Sequence, residues 1–218
     1  MTEFSTHVTE HANGTYALGV SINQGFMTPD DFIMLADLAK KYHVTTLMPT
    51  TAKKIQFLDV AEENVNPLYA DIQAAFGSRL RTPKGKIIVC PGTNWCKFAV
   101  KGRDNYDMGL KIEEISKKHD AGKVKVGVAC CPKSCPMVKV RDIGLFPTAD
   151  GWTVMVGGNG AFRLAVAETL AKNLTEEEAL ALIDRIYAYL EENKDGKERS
   201  ARTVERLGID SLKAAVLA

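Results

Sequence analysis

Residues 87–96 read IIVCPGTNWC, and residues 124–135 read VKVGVACCPKSC. In each stretch a short β-branched run stops at a cysteine and gives way to Pro, Gly, Lys, Ser or Asn. Such runs bounded by turn residues read as strands. Both cysteine pairs therefore begin where a strand ends, the edge at which loops of α/β-type sheets carry chemistry. A helix is predicted between them, over about Met108–His119. The pairs are Cys90-x5-Cys96 and Cys131-x3-Cys135, with 34 residues between them.

Three readings of four such cysteines compete. Structural zinc takes thiolates from short knuckles, most often with two to four intervening residues, and a five-residue arm is unusual for it. Cysteine is also among the most buried residue types, so an inert core is the bland alternative. These cysteines, however, stand among Pro91, Gly92, Asn94 and Lys133 in predicted loops. Four thiols from two strand-end loops suit a 4Fe-4S cluster, which asks for one sulfur per iron and a shell of backbone N–H donors. The fifth cysteine, Cys130, falls outside the pairs and reads as a small buried neighbour.

The rest of the chain sets the frame. With 218 residues it can bury about 70% of its unfolded surface and needs no disulfide or zinc merely to fold. Lys and Arg number 28 against 27 Asp and Glu, a net charge of +1 that excludes the strongly basic field of a non-specific nucleic-acid binder. No stretch approaches the ~20 apolar residues of a membrane span, and the N-terminus has no signal-peptide pattern, so a soluble cytoplasmic protein is expected. No repeat or low-complexity segment interrupts it.

Residues 1–13 are polar and aperiodic and read as a loose arm. A strand is predicted over 15–22, then a helix from Thr28-Pro29-Asp30-Asp31 to about Tyr42, with a capping residue, proline at the first position and acids in the first turn. Two short strands at 45–48 and 54–60 and a helix opening at Asn66-Pro67 complete a β-α-β-β-α sandwich. Beyond the second cysteine pair, residues 138–146 and 152–156 read as a hairpin. Gly157-Gly158-Asn159-Gly160 reads as a turn before a helix from about Arg163, and Thr175-x-x-Glu178 as the capping box of another. The expected class is α+β, divided as an arm (1–13), a first domain (14–80), a second α/β domain (81–172) and a helical C-terminal extension (173–218).

Across roughly residues 15–210, these motifs resemble the sulfite and nitrite reductase family. CPGTNWC, CPKSC and the hairpin ending GWTVMVGGNG are similar to its siroheme and 4Fe-4S domain. The segment Thr28–Val60 is similar to its ferredoxin-like half-domain. Within the family the length matches small stand-alone assimilatory-type sulfite reductases. The resemblance implies that Cys90, Cys96, Cys131 and Cys135 hold the cluster and that Cys135 also bridges to siroheme iron. It implies Thr93, Asn94, Asn159 and Arg163 beside the cofactors, and Lys54, Arg81, Lys97 and Lys133 as catalytic cations around a small oxyanion.

The implied reaction is the six-electron reduction of sulfite to sulfide by an external electron-donor protein. Nitrite reduction to ammonia, or a non-catalytic electron-transfer module, are the alternatives. Gly19 and Ser21 stand where larger relatives tend to place arginines, and the chain has one copy of a domain pair those relatives duplicate. The expected pocket is therefore either completed by a second subunit or more open and less active. His7, His11, His43 and His119 are the imidazoles that could cap an axial haem position.

Overall fold

The computed structural model describes residues 8–81, 86–92, 94–161, 163–196 and 198–217. Thr93 and His7, both singled out above, lie outside them. The chain forms two compact units, Met1–Pro83 and Lys84–Ala218.

The first unit runs β1 (Val8–Glu10), β2 (Tyr16–Val20), α1 (Pro29–Lys41), β3 (Thr46–Pro49), β4 (Ile55–Val60) and α2 (Glu62–Phe76). Its four strands form an antiparallel sheet in the order β1-β2-β4-β3. Alternation along β2 and β4 sends Leu18, Val20, Ile55 and Phe57 into one core with Leu35 and Leu38 of α1 and Leu68 and Ile72 of α2. Full burial of each such side chain stabilises by roughly 1.5–3 kcal/mol. The start of α1 is the expected one: Thr28 accepts from the Asp31 N–H, and Asp31 accepts from the Thr28 N–H. Arg79 closes on the same carboxylate at 2.7 Å.

Two expectations change here. Part of the arm is a strand, because residues 8–10 complete the edge of β2 through a backbone ladder. Helix α2 begins upstream of Asn66-Pro67, at Glu62, and holds Pro67 inside. Acids in its first turn and the buried face of Val65, Leu68, Ile72 and Phe76 outweigh the one N–H that proline lacks.

The second unit runs β5 (Lys86–Val89), α3 (Asn105–Lys118), β6 (Lys125–Val128), β7 (Ile143–Thr148), β8 (Gly151–Val156), β9 (Glu168–Leu174), α4 (Glu176–Asn193), α5 (Ser200–Leu207) and α6 (Ile209–Val216). Its sheet is mixed and ordered as numbered; β6 pairs parallel with both β5 and β7, and the remaining pairs are antiparallel. The Thr175–Glu178 capping box opens α4 as expected. Helices α3 and α4 pack together, and α4 also lies against β8. Trp152, Ile112, Leu182 and Ile183 are among the deepest side chains.

Among the described residues no helix opens at Arg163. Asn159 bridges Ala165 in both directions at 2.9 Å, and the chain then adds β9 to the edge of β8. Antiparallel pairing with β8, the preceding strand, overrides the local helical reading. Residues 138–140, expected in a strand, form a 3₁₀ turn after Met137, whose φ is +57°.

His119, just beyond α3, ties that helix to α4. Its Nδ1 meets Glu191 at 3.0 Å and its Nε2 meets Asp184 at 2.9 Å, while the ring stacks on Tyr187. Burial pulls its pKa down, but the two carboxylates prevail and hold it above the ordinary value. With both nitrogens engaged, His119 is not an axial ligand in this arrangement. Among the described residues no helix is long and apolar enough to cross a membrane.

Candidate functional site

Parallel pairing of β5 with β6 sets the site. The register ends at Val89 opposite Val128, and the Cys90 N–H still donates to the Val128 carbonyl at 3.2 Å. The two chains then part as loops, so Cys90 and the Cys130-Cys131 pair emerge side by side. Cys90, Cys130 and Cys131 are buried together, with Cys96 and Ala99 packed against them; Cys135 is exposed. All five are free thiols.

The first loop folds back through Gly92. Its carbonyl accepts from the N–H groups of Trp95 (3.3 Å) and Cys96 (2.9 Å), and its φ of +77° is left-handed. A β-carbon there would stand 2.4 Å from Oδ1 of Asn105, so glycine is required twice over. Asn105, 0% exposed, opens α3 behind the Asp104 cap and donates its amide to the Cys90 carbonyl (3.0 Å) and toward Cys90 Sγ (3.6 Å). Val100 donates to the Cys130 carbonyl at 3.0 Å, joining the two loops.

The second loop turns through Ser134 and Met137, both at positive φ. Residues 136–141 then lie on a notch made by Gly127 of β6 and Gly144 of β7, which are register partners. A β-carbon on Gly127 would reach within 3.1 Å of the Pro136 carbonyl oxygen, and one on Gly144 within 2.2 Å of that of Val138. Gly158 meets the Arg141 backbone in the same way, and Gly160 meets Val140.

These residues fit a thiolate-held cluster on the molecule's own geometry. The Cys130 backbone N–H donates to Cys90 Sγ at 3.0 Å, the kind of N–H···S bond that spreads thiolate charge. Burial, and after it the neighbouring thiols of Cys90, Cys96 and Cys131, push the Cys130 thiol well up. Among the described residues no three His, Cys, Asp or Glu side chains are grouped closely enough, as they stand, to hold a metal ion.

The anticipated cations fall in several places. Lys97 follows the first loop and Lys133 sits inside the second, and both ammonium groups stand over the Phe98 ring, at 5.1 and 3.4 Å from its centroid. Phe98 thus gathers a lysine from each loop. Lys54 and Arg81 belong to the first unit: Lys54 exchanges hydrogen bonds with Thr50, and the Arg81 N–H donates to the Ser21 carbonyl at 2.9 Å. Asn94 is exposed in the first loop. Asn159 is buried, and its side-chain oxygen accepts from the Ala161 N–H and from Arg199. Arg163 pairs with Glu205 of α5 at 3.0 Å beside a cleft of about 310 Å³ that no cysteine lines.

Asn105 and Phe98 were not anticipated. Asp104 as a helix cap was the available signal for Asn105; starting the helix at Met108 hid it.

Residues 78–218 match the model of the nitrite and sulphite reductase 4Fe-4S domain, and residues 7–75 that of the nitrite/sulfite reductase ferredoxin-like half domain. The chain belongs to the nitrite and sulfite reductase family. Within this family it is 31% identical to an assimilatory-type sulfite reductase of Nitratidesulfovibrio vulgaris, over 93% of each chain. It is 28% identical to an NAD(P)H nitrite reductase of Bacillus subtilis, over 96% of this chain but 26% of that one. Among solved structures, the NirA protein of Mycobacterium tuberculosis shares the fold, with a TM-score of 0.74 at 22% identity over 94% of this chain and 40% of that one. Dissimilatory sulfite reductase I matches with a TM-score of 0.78 at 11% identity, over 93% of this chain and 69% of that one. Family membership makes the chain an oxidoreductase of the iron–sulfur type.

Proposed function

We propose that this chain reduces sulfite to sulfide, taking six electrons one at a time from a separate donor protein. Support comes chiefly from the near end-to-end match with an assimilatory-type sulfite reductase, 93% of each chain. The nitrite reductases it resembles are several times longer, and the chain spans about a quarter of the first of them. Nitrite is therefore kept as a second substrate to be tested.

In this reading Cys90, Cys96, Cys131 and Cys135 hold the cluster. Cys135 would also hold siroheme, which would supply an iron for the oxyanion and a path for single electrons. The chain's own residues do the rest. Cys90 Sγ is fixed by the Cys130 N–H and Asn105, so that thiolate is oriented before any cofactor arrives. Lys97 and Lys133, gathered on Phe98, place positive charge beside the second loop, where it attracts the anion and can hand protons to departing oxygen. Lys54 and Arg81 are taken as further cations for the anion, and Asn94, Asn159 and Arg163 as cofactor contacts. The functional division runs as an arm (1–13), a half-domain (14–80), a cofactor domain (81–172) and a helical extension (173–218). The protein works in the cytoplasm, with a second copy completing the anion pocket.

An anaerobic absorption spectrum of protein made with siroheme available, before and after anion addition to the reduced form, tests this. Siroheme bands that move with sulfite are the expected result. Bands that move only with nitrite reassign the substrate, and iron–sulfur absorption without haem bands overturns the reductase reading in favour of electron transfer.

A further inference from the structure

Arg141 is 9% exposed, and its guanidinium makes one hydrogen bond among the described residues, from Nε to the Pro136 carbonyl at 3.3 Å. No carboxylate of the described residues lies within 4.0 Å of it. The nearest in sequence, Asp142, is committed elsewhere: it accepts from the Lys125 N–H (2.8 Å), the Ala201 N–H (3.0 Å) and Arg199 (3.1 Å). Lysine in such a place could shed its proton, but arginine stays charged. Asp142 acts on it only from beyond ion-pair distance, and a buried cation without a paired anion costs heavily unless something supplies more counter-charge.

The position narrows what that something is. Pro136 immediately follows Cys135, so the Arg141 head is bonded to the peptide next to the exposed thiol of the second loop. Arg141 cannot move away. Its Cγ lies over Gly127, its backbone is pressed onto Gly158, and its N–H is bonded to Val138. Arg199 and Lys125 add positive charge nearby, so the described surroundings carry a surplus that a polyanionic centre would relieve.

We propose that Arg141 is a positioning residue of the Cys135 loop, and that its missing counter-charge is the negative charge of the thiolate-held cluster. The proposal rests on the reading that Cys131 and Cys135 are cluster ligands. It makes Arg141 a determinant of cluster potential: a fixed cation favours the reduced, more negative form, and its loss favours the oxidised one.

The test uses the full chain reconstituted with iron and sulfide, with siroheme withheld so that no tetrapyrrole carboxylate can take the cluster's place. Cluster potentials of wild type, R141K and R141Q are measured by EPR-monitored titration, with iron and acid-labile sulfide counted in each. Gln keeps a donor for Pro136 without the charge; Lys keeps the charge. At fixed potential R141Q should lower the reduced-to-oxidised ratio about tenfold, a shift of about 59 mV to more negative potential for a one-electron couple, while R141K stays near wild type. A purely structural role would leave both potentials unchanged. An R141Q potential equal to wild type, or an equal shift in R141K, overturns the proposal alone. A wild-type chain that takes up no iron or sulfide overturns the family-based reading and the proposal together.

Discussion

The first cysteine loop is held by a helix side chain, the second by the bare backbone of a sheet. Asn105 reaches from α3 to the carbonyl and sulfur of Cys90, and the loop turns once at Gly92 to fit beneath it. The segment after Cys135 instead lies on Gly127 and Gly144, where the absence of side chains is what makes room. An amide donor can be trimmed and leave a hole. A notch filled by a methyl group forces backbone to move, so the two supports should fail differently.

The strongest break is at the sulfurs. Cys90→Ser and Cys135→Ser should each lose the cluster and all reductase activity, measured as iron and sulfide per chain and as turnover. Cys130→Ser should keep both, because its contribution to Cys90 is a backbone N–H that the substitution leaves in place. Full cluster content in Cys135→Ser would remove Cys135 from the ligand set.

Next comes the notch. Gly144→Ala places a β-carbon 2.2 Å from the Val138 carbonyl oxygen and should cost about 3 kcal/mol, the upper part of the usual range for overpacking. A urea midpoint within error of wild type would show that residues 136–141 have slack. Asn105→Ala should cost less, about 1–3 kcal/mol for a buried hydrogen-bonded amide, with its effect felt at the first loop. Its signature is cluster loss on mild oxidation while the second loop's protection from hydrogen exchange is retained.

The smallest effect lies away from both loops and serves as a control for them. The folded-state pKa of His119 is raised, so its contribution is complete below the unfolded value of about 6.5 and fades as pH climbs through the folded one. His119→Gln should flatten that part of the stability–pH curve without altering cluster content. An unchanged curve would mean that Asp184 and Glu191 do not hold the imidazolium in solution.

What could be read from residues alone follows the same contrast. The cysteine loops were legible because strand end, turn residues and ligand spacing are all local in sequence. So was Thr175–Glu178, a capping box complete within four residues. The glycine notch was not, since Gly127 and Gly144 acquire meaning only when β6 and β7 pair in register. Nor was the bond from Arg199 to the side-chain oxygen of Asn159, since the two residues are distant in sequence. The helix expected after Arg163 failed because the chain there turns back and adds β9 to β8, the strand before it. Phe98 gave no signal, because a ring between two lysines is unremarkable until the loops bring both over it.

The parallel pairing of β5 with β6 also sets an order of events during maturation. Each loop owns two of the four sulfurs, and the crossover through α3 must close before they face one another. Parallel pairing across such a connection is slow compared with local turns. On the proposed ligand set a complete four-sulfur site therefore exists only after tertiary folding, and in the folded chain Cys135 is the exposed thiol.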